Sequence, residues 1–388
     1  MEPVEIREFG LLLRPWRPAD ADAVHRACQD PLIQRWTGVP SPYLRDHAEG
    51  FVGEISPRAW AAGTGAPFGV FDAGTGALVG SCGLITITPQ LRSAEIGYWT
   101  APWARGRGVA TAATRAVGRW AFDALGLRRL TWQAEVGNHA SRLVALRAGF
   151  QVTGTLPLAQ PLPGGLPDGW IGALLPDDLA GEPPAVPALT RLRAAVFSGP
   201  QPTLAARTGT GEGITLRPMT AGDHDAIIAA CRDAESLRWT TVPDPYGPGD
   251  AEFFVGGYGP RRWAGGHGAV FAIADPAGAY AGSMELRLSD GDPAVADVGY
   301  LVAPGARGRG YAPAALRALC GWAVGALRLE RIEWKAYVGN DASRRAAEKA
   351  GFTMEGLLRS GLAHRGGERR DAWLGSVLAD DVKAVDAA

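Results

Sequence analysis

Two glycine-rich segments are the residues whose types and spacing most clearly suggest chemistry. They read Arg105-Gly106-Arg107-Gly108-Val109-Ala110 and Arg307-Gly308-Arg309-Gly310-Tyr311-Ala312. Each stands between a predicted strand and a predicted helix, where glycine lets the backbone take positive φ and approach a ligand. The following helix offers free N–H groups and a partial positive charge, which together bind phosphate. A tight turn without a ligand would explain one such segment, but two in the same context favour a diphosphate site.

Two well-known nucleotide motifs are absent from these segments. A Walker loop requires a lysine followed by Ser or Thr after its last glycine, and neither segment contains a lysine. The dinucleotide fingerprint G-x-G-x-x-G would need a third glycine where Thr111 and Pro313 stand. The diphosphate therefore belongs to another class of ligand.

The elements that must position these segments occur twice in the chain. Leu13-Arg14-Pro15 recurs 203 positions later as Leu216-Arg217-Pro218, and Ala148-Gly149-Phe150 recurs 202 positions later as Ala350-Gly351-Phe352. Because the offset between matching segments changes by only one residue over such a long stretch, the two halves indicate a duplicated domain. We predict an N-terminal domain over residues 1–180, a Pro/Gly-rich linker over 181–211 and a C-terminal domain over 212–388.

Each copy is predicted to be α+β. In the first copy the apolar periodicity predicts helices over Ala19–Cys28 and His47–Trp60, followed by three strands. A helix over Thr111–Leu125 follows the glycine-rich segment. The remaining candidates are strands at Leu130–Ala134, Phe150–Thr155 and Trp170–Leu175 and a helix at Ala140–Ala148.

The composition excludes several classes of protein. The 388 residues include 39 Lys and Arg against 40 Asp and Glu, so neither nucleic acid nor an anionic membrane is expected as a partner. The four cysteines form no C-x-x-C pair and have no histidine at zinc spacing, so no metal is expected. The N-terminus lacks a signal-peptide pattern, and no apolar run approaches the roughly 18 residues of a membrane span. We therefore expect a cytoplasmic protein.

R-G-x-G-x-A between a strand and a helix resembles the loop with which GNAT N-acetyltransferases bind the pyrophosphate of acyl-CoA. The rest of each copy resembles the RimJ/RimL type, which acetylates the N-termini of ribosomal proteins. The residues that carry this resemblance are the opening L-R-P, the segment R-W-T-x-V-P-x-P-Y, Glu95-Ile-Gly-Tyr-Trp and Asp297-Val-Gly-Tyr-Leu before the loops, and the run G-N-x-A-S-R…A-G-F.

The resemblance implies two tandem GNAT domains, each with a mixed β-sheet that splays open to admit the pantetheine arm of CoA and is flanked by helices. It implies acetyl-CoA, or a close acyl-CoA, as co-substrate and a primary amine as acceptor. That amine belongs to a peptide or protein N-terminus or to a small metabolite. The implied cofactor contacts are both glycine-rich segments, Asn138 and Asn340, although these asparagines could also cap the helices that follow them.

The catalytic candidates also rest on the resemblance. Glu95 and Asp297 occupy the strand position where the family often keeps a carboxylate that deprotonates the amine. The alternatives are a solvent-facing strand carboxylate or one that holds the ammonium group of the acceptor. Ser141 and Ser343 would lie near the CoA sulfur. Many relatives place a tyrosine further along the same helix as the general acid, and Val144 and Ala346 stand there instead.

The acceptor pocket is expected to include Trp36, Tyr43, Trp239 and Tyr246, although packing would explain these aromatic residues equally well. Residues 156–165 of the first copy are uncharged and Pro-rich, whereas residues 358–371 of the second are polar and basic. The two halves are therefore expected to use different acceptors; the alternative is that the first half uses none. The halves are expected to pack as a pseudo-dimer. The alternative function is an acyl-CoA-binding scaffold in which one or both halves no longer catalyse transfer.

Overall fold

The computed structural model describes residues 1–159 and 167–386 of the chain. The chain divides into two compact units, Met1–Ala188 and Leu189–Ala388, and each contains one eight-stranded mixed sheet. Where the structure describes the chain, none of the helices is both long and apolar enough to cross a membrane.

The sheet of the first unit has the strand order β1-β2-β3-β4-β5-β6-β8-β7. All neighbouring strands are antiparallel except β5 and β6, which are parallel. The strands are β1 (Ile6–Glu8), β2 (Leu11–Pro15), β3 (Ala66–Asp72), β4 (Leu78–Thr88), β5 (Ser93–Thr100), β6 (Arg129–Glu135), β7 (Gln151–Leu156) and β8 (Gly169–Leu174).

Helices flank this sheet. They are α1 (Ala21–Cys28), α2 (Pro31–Trp36), α3 (Arg45–Gly50), α4 (Ser56–Ala62), α5 (Val109–Asp123) and α6 (His139–Ala148), with a π-helical turn over Phe51–Ile55 between α3 and α4. One face of α5 packs on the sheet, where Ala113 and Val117 join Ile96 and Leu130 in the main core. Because strand residues alternate between faces, Glu95 and Gly97 lie on the opposite face from Ile96.

The second unit repeats this arrangement with the strand order β15-β16-β14-β13-β12-β11-β10-β9. Its strands are β9 (Leu204–Arg207), β10 (Gly213–Pro218), β11 (Gly268–Ala274), β12 (Tyr280–Leu288), β13 (Val295–Val302), β14 (Arg331–Tyr337), β15 (Thr353–Ala363) and β16 (Arg369–Leu378). Its helices are α7 (Ala188–Ser198), α8 (His224–Arg232), α9 (Ala234–Trp239), α10 (Pro248–Glu252), α11 (Gly259–Gly265), α12 (Tyr311–Leu327), α13 (Asp341–Lys349) and α14 (Ala379–Asp386).

The segment predicted as a linker is largely part of the second unit. Phe197 of α7 is buried in the second core, and β9 is an edge strand of the second sheet. Arg193 donates hydrogen bonds to the carbonyls of Leu327 and Pro293. The predicted linker boundary at residue 211 is thus corrected: the second unit begins at Leu189 because these residues bury apolar surface against its core.

Each sheet splays open at its parallel pair of strands. In the first unit β5 and β6 pair only from Ser93 to Glu95, although β5 continues to Thr100. In the second unit β13 and β14 pair from Val295 to Val298, and β13 continues to Val302. The predicted fold, a mixed splayed sheet flanked by helices in each half, is confirmed.

Candidate active site

The first glycine-rich segment forms the turn from β5 into α5. Gly106 and Gly108 have φ angles of 76° and 75°, a conformation that side chains disfavour. A Cβ on either residue would meet no atom within 4 Å, so space remains next to the backbone. Within the described ranges, nothing accepts a hydrogen bond from the backbone N–H groups of residues 106–111. Free N–H groups at the N-terminus of a 15-residue helix are an arrangement that can bind an anion.

The second segment has the same backbone but a closer neighbour. Gly308 and Gly310 have φ angles of 78° and 77°, and no described acceptor reaches the N–H groups of residues 308–312. A Cβ on Gly310 would lie 3.7 Å from that of Thr208, in the turn between β9 and β10. Glu212 of that turn pairs with Arg309. This turn therefore lies against the second loop, whereas the space beside Gly108 is open.

The arginines of both segments are paired with carboxylates of their own unit. Arg105 forms an ion pair of 2.5 Å with Asp30, the N-cap of α2. Burial of Asp30 raises its pKa. The hydrogen bonds from Arg105 and from two helix N–H groups lower the pKa by more than burial raises it, so the net shift is downward. Arg307 makes the equivalent pair with Asp233, the N-cap of α9. Arg107 pairs with Asp72 at 3.1 Å. The side chains thus fix the loop, and the free groups are those of the backbone.

Glu95 is the last residue of β5 that pairs with β6, so its carboxylate lies where the sheet opens. No hydrogen bond or ion pair joins this carboxylate to any residue in the described part of the chain. Burial raises the pKa of Glu95 because the charged form loses hydration. Ile85 lies against Gly97 so closely that a Cβ there would clash with its Cδ1. The carboxylate is therefore free and beside an apolar side chain.

Asp297 is the corresponding carboxylate of the second unit, and it is held in an ion pair. Arg287 Nε donates to both of its oxygens at 3.0 and 3.2 Å, and Nη2 donates as well. The same guanidinium pairs with Glu285 at 2.9 Å. Burial works to lower the pKa of Arg287, but these two carboxylates raise it overall. The two predicted bases therefore have different surroundings, which sequence equivalence did not indicate.

Ser141 and Ser343 are engaged inside their own units. The Ser141 hydroxyl donates to the hydroxyl of Tyr98 at 3.2 Å and accepts from Trp132 Nε1 at 3.1 Å. Ser343 makes the same contacts, with Tyr300 at 2.9 Å and Trp334 at 3.1 Å. The proton of Ser141 is thus used within the protein, and the structure gives no support to a role for it at the CoA sulfur. Tyr98 and Tyr300 were missed as members of this network.

Asn138 and Asn340 cap the helices that follow them. Oδ1 of Asn138 accepts from the N–H of Ser141 at 3.1 Å, and Oδ1 of Asn340 accepts from that of Ser343 at the same distance. The capping alternative is therefore what the structure contains. Asn138 stands beyond the end of β6, on the far side of the opening from β5, so a contact between its amide nitrogen and the pantetheine remains a prediction.

The predicted acceptor-pocket residues divide into two groups. Tyr43 and Tyr246 are 5% and 4% exposed and lie in small cores, against Cys28 and Cys231 respectively. Their prediction as pocket residues is corrected, since apolar packing buries both rings. Trp36 and Trp239 are half-buried. Trp239 lies 3.4 Å from where a Cβ of Gly339 would be, next to the capped start of α13.

The segments that were expected to distinguish the two acceptors are only partly described. Residues 160–166 of the first unit lie outside the described residues. In the second unit, Arg365 donates to the carbonyls of Leu237 and Val242, and it therefore fastens the end of β15 to the α9 region. Tyr337 donates to the carbonyl of Ala363 at 2.5 Å. These hydrogen bonds hold the end of β15 and the segment that follows it against α9 and β14 of the same unit.

A family model described as an acetyltransferase (GNAT) domain matches residues 10–151 and again residues 214–353. The chain belongs to the GNAT acetyltransferase family. The predicted family and the duplication are thereby confirmed, one GNAT domain in each unit. The matches contain both glycine-rich segments and both strand carboxylates.

Individual relatives match parts of this GNAT protein. A Bacillus subtilis protein named "Putative ribosomal N-acetyltransferase YdaF" is 44% identical over 75 residues, which are 19% of this chain and 41% of that protein. The chain thus spans less than half of YdaF. YoaA of the same organism, named an uncharacterized N-acetyltransferase, is 27% identical over 38% of this chain and 82% of its own length. The structure of Mycobacterium smegmatis RimJ with CoA-disulfide is 25% identical, covering 47% of this chain and 93% of that one, with a TM-score of 0.42.

The residue pair that distinguishes the two GNAT units is not among the residues predicted from the sequence. Ile85 and Arg287 occupy equivalent places, since each lies against the glycine two residues after its strand carboxylate. The signal was present, because aligning the two copies sets an isoleucine against an arginine beside Gly97 and Gly299. Its meaning depends on the strand register, which places Arg287 directly opposite Asp297.

Proposed function

We propose that this protein transfers an acetyl group from acetyl-CoA to a primary amine, and that the first GNAT unit carries out the reaction with Glu95 as general base. The observation that carries the proposal is the unpaired Glu95 carboxylate at the opening between β5 and β6. The chain continues from the end of β5 through a short 3-10 turn at Pro102–Ala104 to the free N–H groups of residues 106–111. A binding group for the cofactor and a base thus lie on one continuous segment of the chain.

The backbone of the first unit fits the co-substrate. The pyrophosphate of CoA would accept hydrogen bonds from the N–H groups of residues 106–111, and the open space beside Gly106 and Gly108 leaves room for it. Beyond Glu95, β5 has no partner strand on the β6 side, so its backbone groups there are available to the amides of a pantetheine arm. The acetyl group would then lie in the opening, beside the Glu95 carboxylate.

The reaction consists of one displacement at the thioester carbon. The amine nitrogen forms a bond to the carbonyl carbon while the carbon–sulfur bond breaks, and the proton of the amine passes to Glu95, directly or through water. The sulfur departs with the electron pair as a thiolate. With Val144 where relatives have a tyrosine, the first unit offers no side-chain acid at that helix position. A thiol pKa of about 8.5 makes the thiolate an acceptable leaving group without one.

The proposed acceptor is the α-amine of a protein or peptide N-terminus. An α-amine has a pKa of about 7.7–8.0, so a carboxylate of moderately raised pKa removes its proton far more easily than that of lysine, near 10.4. The name of YdaF, a ribosomal N-acetyltransferase, supports a protein acceptor. Ile85 would form an apolar wall next to the base, which suits the first side chain of a peptide.

The test is the change Glu95→Gln in the full chain, with release of CoA thiol measured against peptides that have free N-termini. We expect kcat/KM to fall roughly 10²-fold or more, a usual contribution of a general base. KM for acetyl-CoA should change little because the phosphate turn is untouched. Asp123→Asn, which alters an exposed carboxylate at the far end of α5, is the matched control.

The pH profile gives a second readout. Because burial raises the pKa of Glu95, kcat/KM of the wild type should fall with decreasing pH already above the ordinary range of a glutamate. In the Glu95→Gln protein only the slope that comes from protonation of the acceptor amine, near its own pKa of about 7.7–8.0, should remain. A variant that retains both the wild-type rate and the limb would refute the assignment of Glu95 as the base.

A further inference from the structure

The second unit carries a cluster of charged and polar side chains that the first unit does not have. Arg287 bridges Asp297 and Glu285, and Glu285 accepts from the Tyr258 hydroxyl at 2.5 Å. Arg262 approaches Glu285 at 3.6 Å. In the first unit the corresponding residues are Ile85, Glu95, Gly83, Ile55 and Ala59. Only the strand carboxylate is thus shared between the two faces.

We infer that Arg287 prevents Asp297 from acting as a base, so that the second GNAT unit does not transfer acetyl groups. This inference rests on the proposed role of the strand carboxylate in the first unit. Arg287 lies directly opposite Asp297 in the register of β12 and β13 and reaches both of its oxygens. To accept a proton from an amine, Asp297 would first have to give up its contacts with this guanidinium.

The charge of the cluster also opposes the approach of an amine. The positive charges of Arg287 and Arg262 balance the negative charges of Asp297 and Glu285. Glu95, by contrast, pairs with no cation in the described part of the chain. An acceptor reaches the protein largely as its ammonium form, which is attracted to a single carboxylate and gains little from a neutral cluster. Glu333 of β14 is the register partner of Asp297 and is itself paired with Lys335 and Arg331, so it adds no unpaired carboxylate that would attract the ammonium group.

The first experiment tests whether the second unit transfers acetyl groups. In the full chain, Glu95→Gln removes the first base, and the residual thiol release reports any transfer by the second unit. We expect Asp297→Asn to cause no further loss in that background. A further loss of several-fold would show that Asp297 works as a base and would overturn the inference. If Glu95→Gln alone left the rate intact, the proposed function of the first unit would fail. Asp297→Asn in the wild-type chain would then decide the inference separately.

The second comparison tests Arg287 itself. Arg287→Ile installs the residue of the first unit, and in the Glu95→Gln background we expect thiol release to rise at least about 10-fold, a modest part of a usual general-base contribution, as Asp297 is released from its ion pair. The gain should disappear when Asp297→Asn is added. A folded Arg287→Ile protein without any gain would overturn the role of Arg287. Should that variant not fold, Arg287→Gln keeps the polar surface and removes the charge, and the same two outcomes apply.

Discussion

The contrast between Ile85 and Arg287 predicts that an arginine placed at position 85 inactivates the first unit. Ile85 lies against Gly97, as Arg287 lies against Gly299, and Arg287 reaches the neighbouring strand carboxylate from there. Ile85 is 59% exposed, so the larger polar side chain should be accommodated with little effect on folding. The Ile85→Arg change therefore isolates one contact, a guanidinium on Glu95.

The size of the effect follows from the change in basicity of Glu95. A guanidinium next to a carboxylate lowers the pKa of that carboxylate by about one to three units, which is roughly 1.4–4 kcal/mol of preference for the charged form. Transfer of the amine proton to Glu95 has to overcome this free-energy preference for the charged carboxylate. We therefore expect kcat/KM to fall between about 10-fold and 10³-fold, with the larger values if the guanidinium also blocks the opening between β5 and β6.

The assay is thiol release by the full chain as a function of pH. In Ile85→Arg the acidic limb should move to lower pH, opposite to the upward displacement that burial gives to the Glu95 pKa in the wild type. Ile85→Gln, polar but uncharged, is the matched control and should retain most of the activity. An Ile85→Arg protein with the wild-type rate and an unmoved acidic limb would refute the reasoning for both units, since it would show that a guanidinium at this place does not restrain the carboxylate.

Two further predictions concern the loop and the core. Gly108→Val should raise KM for acetyl-CoA at least about 10-fold, because a β-branched residue disfavours the positive φ that orients the N–H groups of the turn. Gly63→Val, at the C-terminal end of α4 with a φ of 68°, imposes similar strain and should leave this KM unchanged; equal effects would contradict the phosphate turn. Arg115→Met should lower the free energy of unfolding of the first unit by about 3 kcal/mol, since it leaves the carbonyls of residues 148, 179 and 181 without their donor. Arg317→Met removes one such bond in the second unit and should cost under about 1 kcal/mol in the same denaturant titration.

The architecture could be predicted wherever backbone chemistry is local. Glycines before a helix predicted the turn of residues 105–110, and the helix predicted over Thr111–Leu125 forms over Val109–Asp123. A single helix was predicted over His47–Trp60, but a π-helical turn at Phe51–Ile55 interrupts it. Spacing of apolar residues does not reveal such an extra residue per turn. The edge strand β9 was assigned to a linker because four residues carry too little alternation to indicate pairing.

The position of the site was predictable, but the ion pairing of its carboxylates was not. The carboxylates and the caps lie at the places that the repeats indicated, on the strand before each loop and at the start of α6 and α13. Whether a carboxylate is free depends on which residue stands across the strand, and the register decides this. A bulge between Leu84 and Thr86 shifts the pairing in the first unit, so that Thr86 faces Glu95 where Arg287 faces Asp297.

The proposed difference between the two units arises because cofactor binding and base catalysis use different atoms. Pyrophosphate recognition uses backbone N–H groups, and any sequence that keeps the glycine conformations keeps those groups in place; both loops have done so. Base catalysis uses one side chain that must be free to accept a proton, so we infer that one arginine beside the carboxylate suffices to remove it. Duplication therefore preserves a capacity to bind CoA more easily than a capacity to use it. For this reason the second unit retains the turn, the capped helix and the splayed sheet around a carboxylate that Arg287 holds in an ion pair.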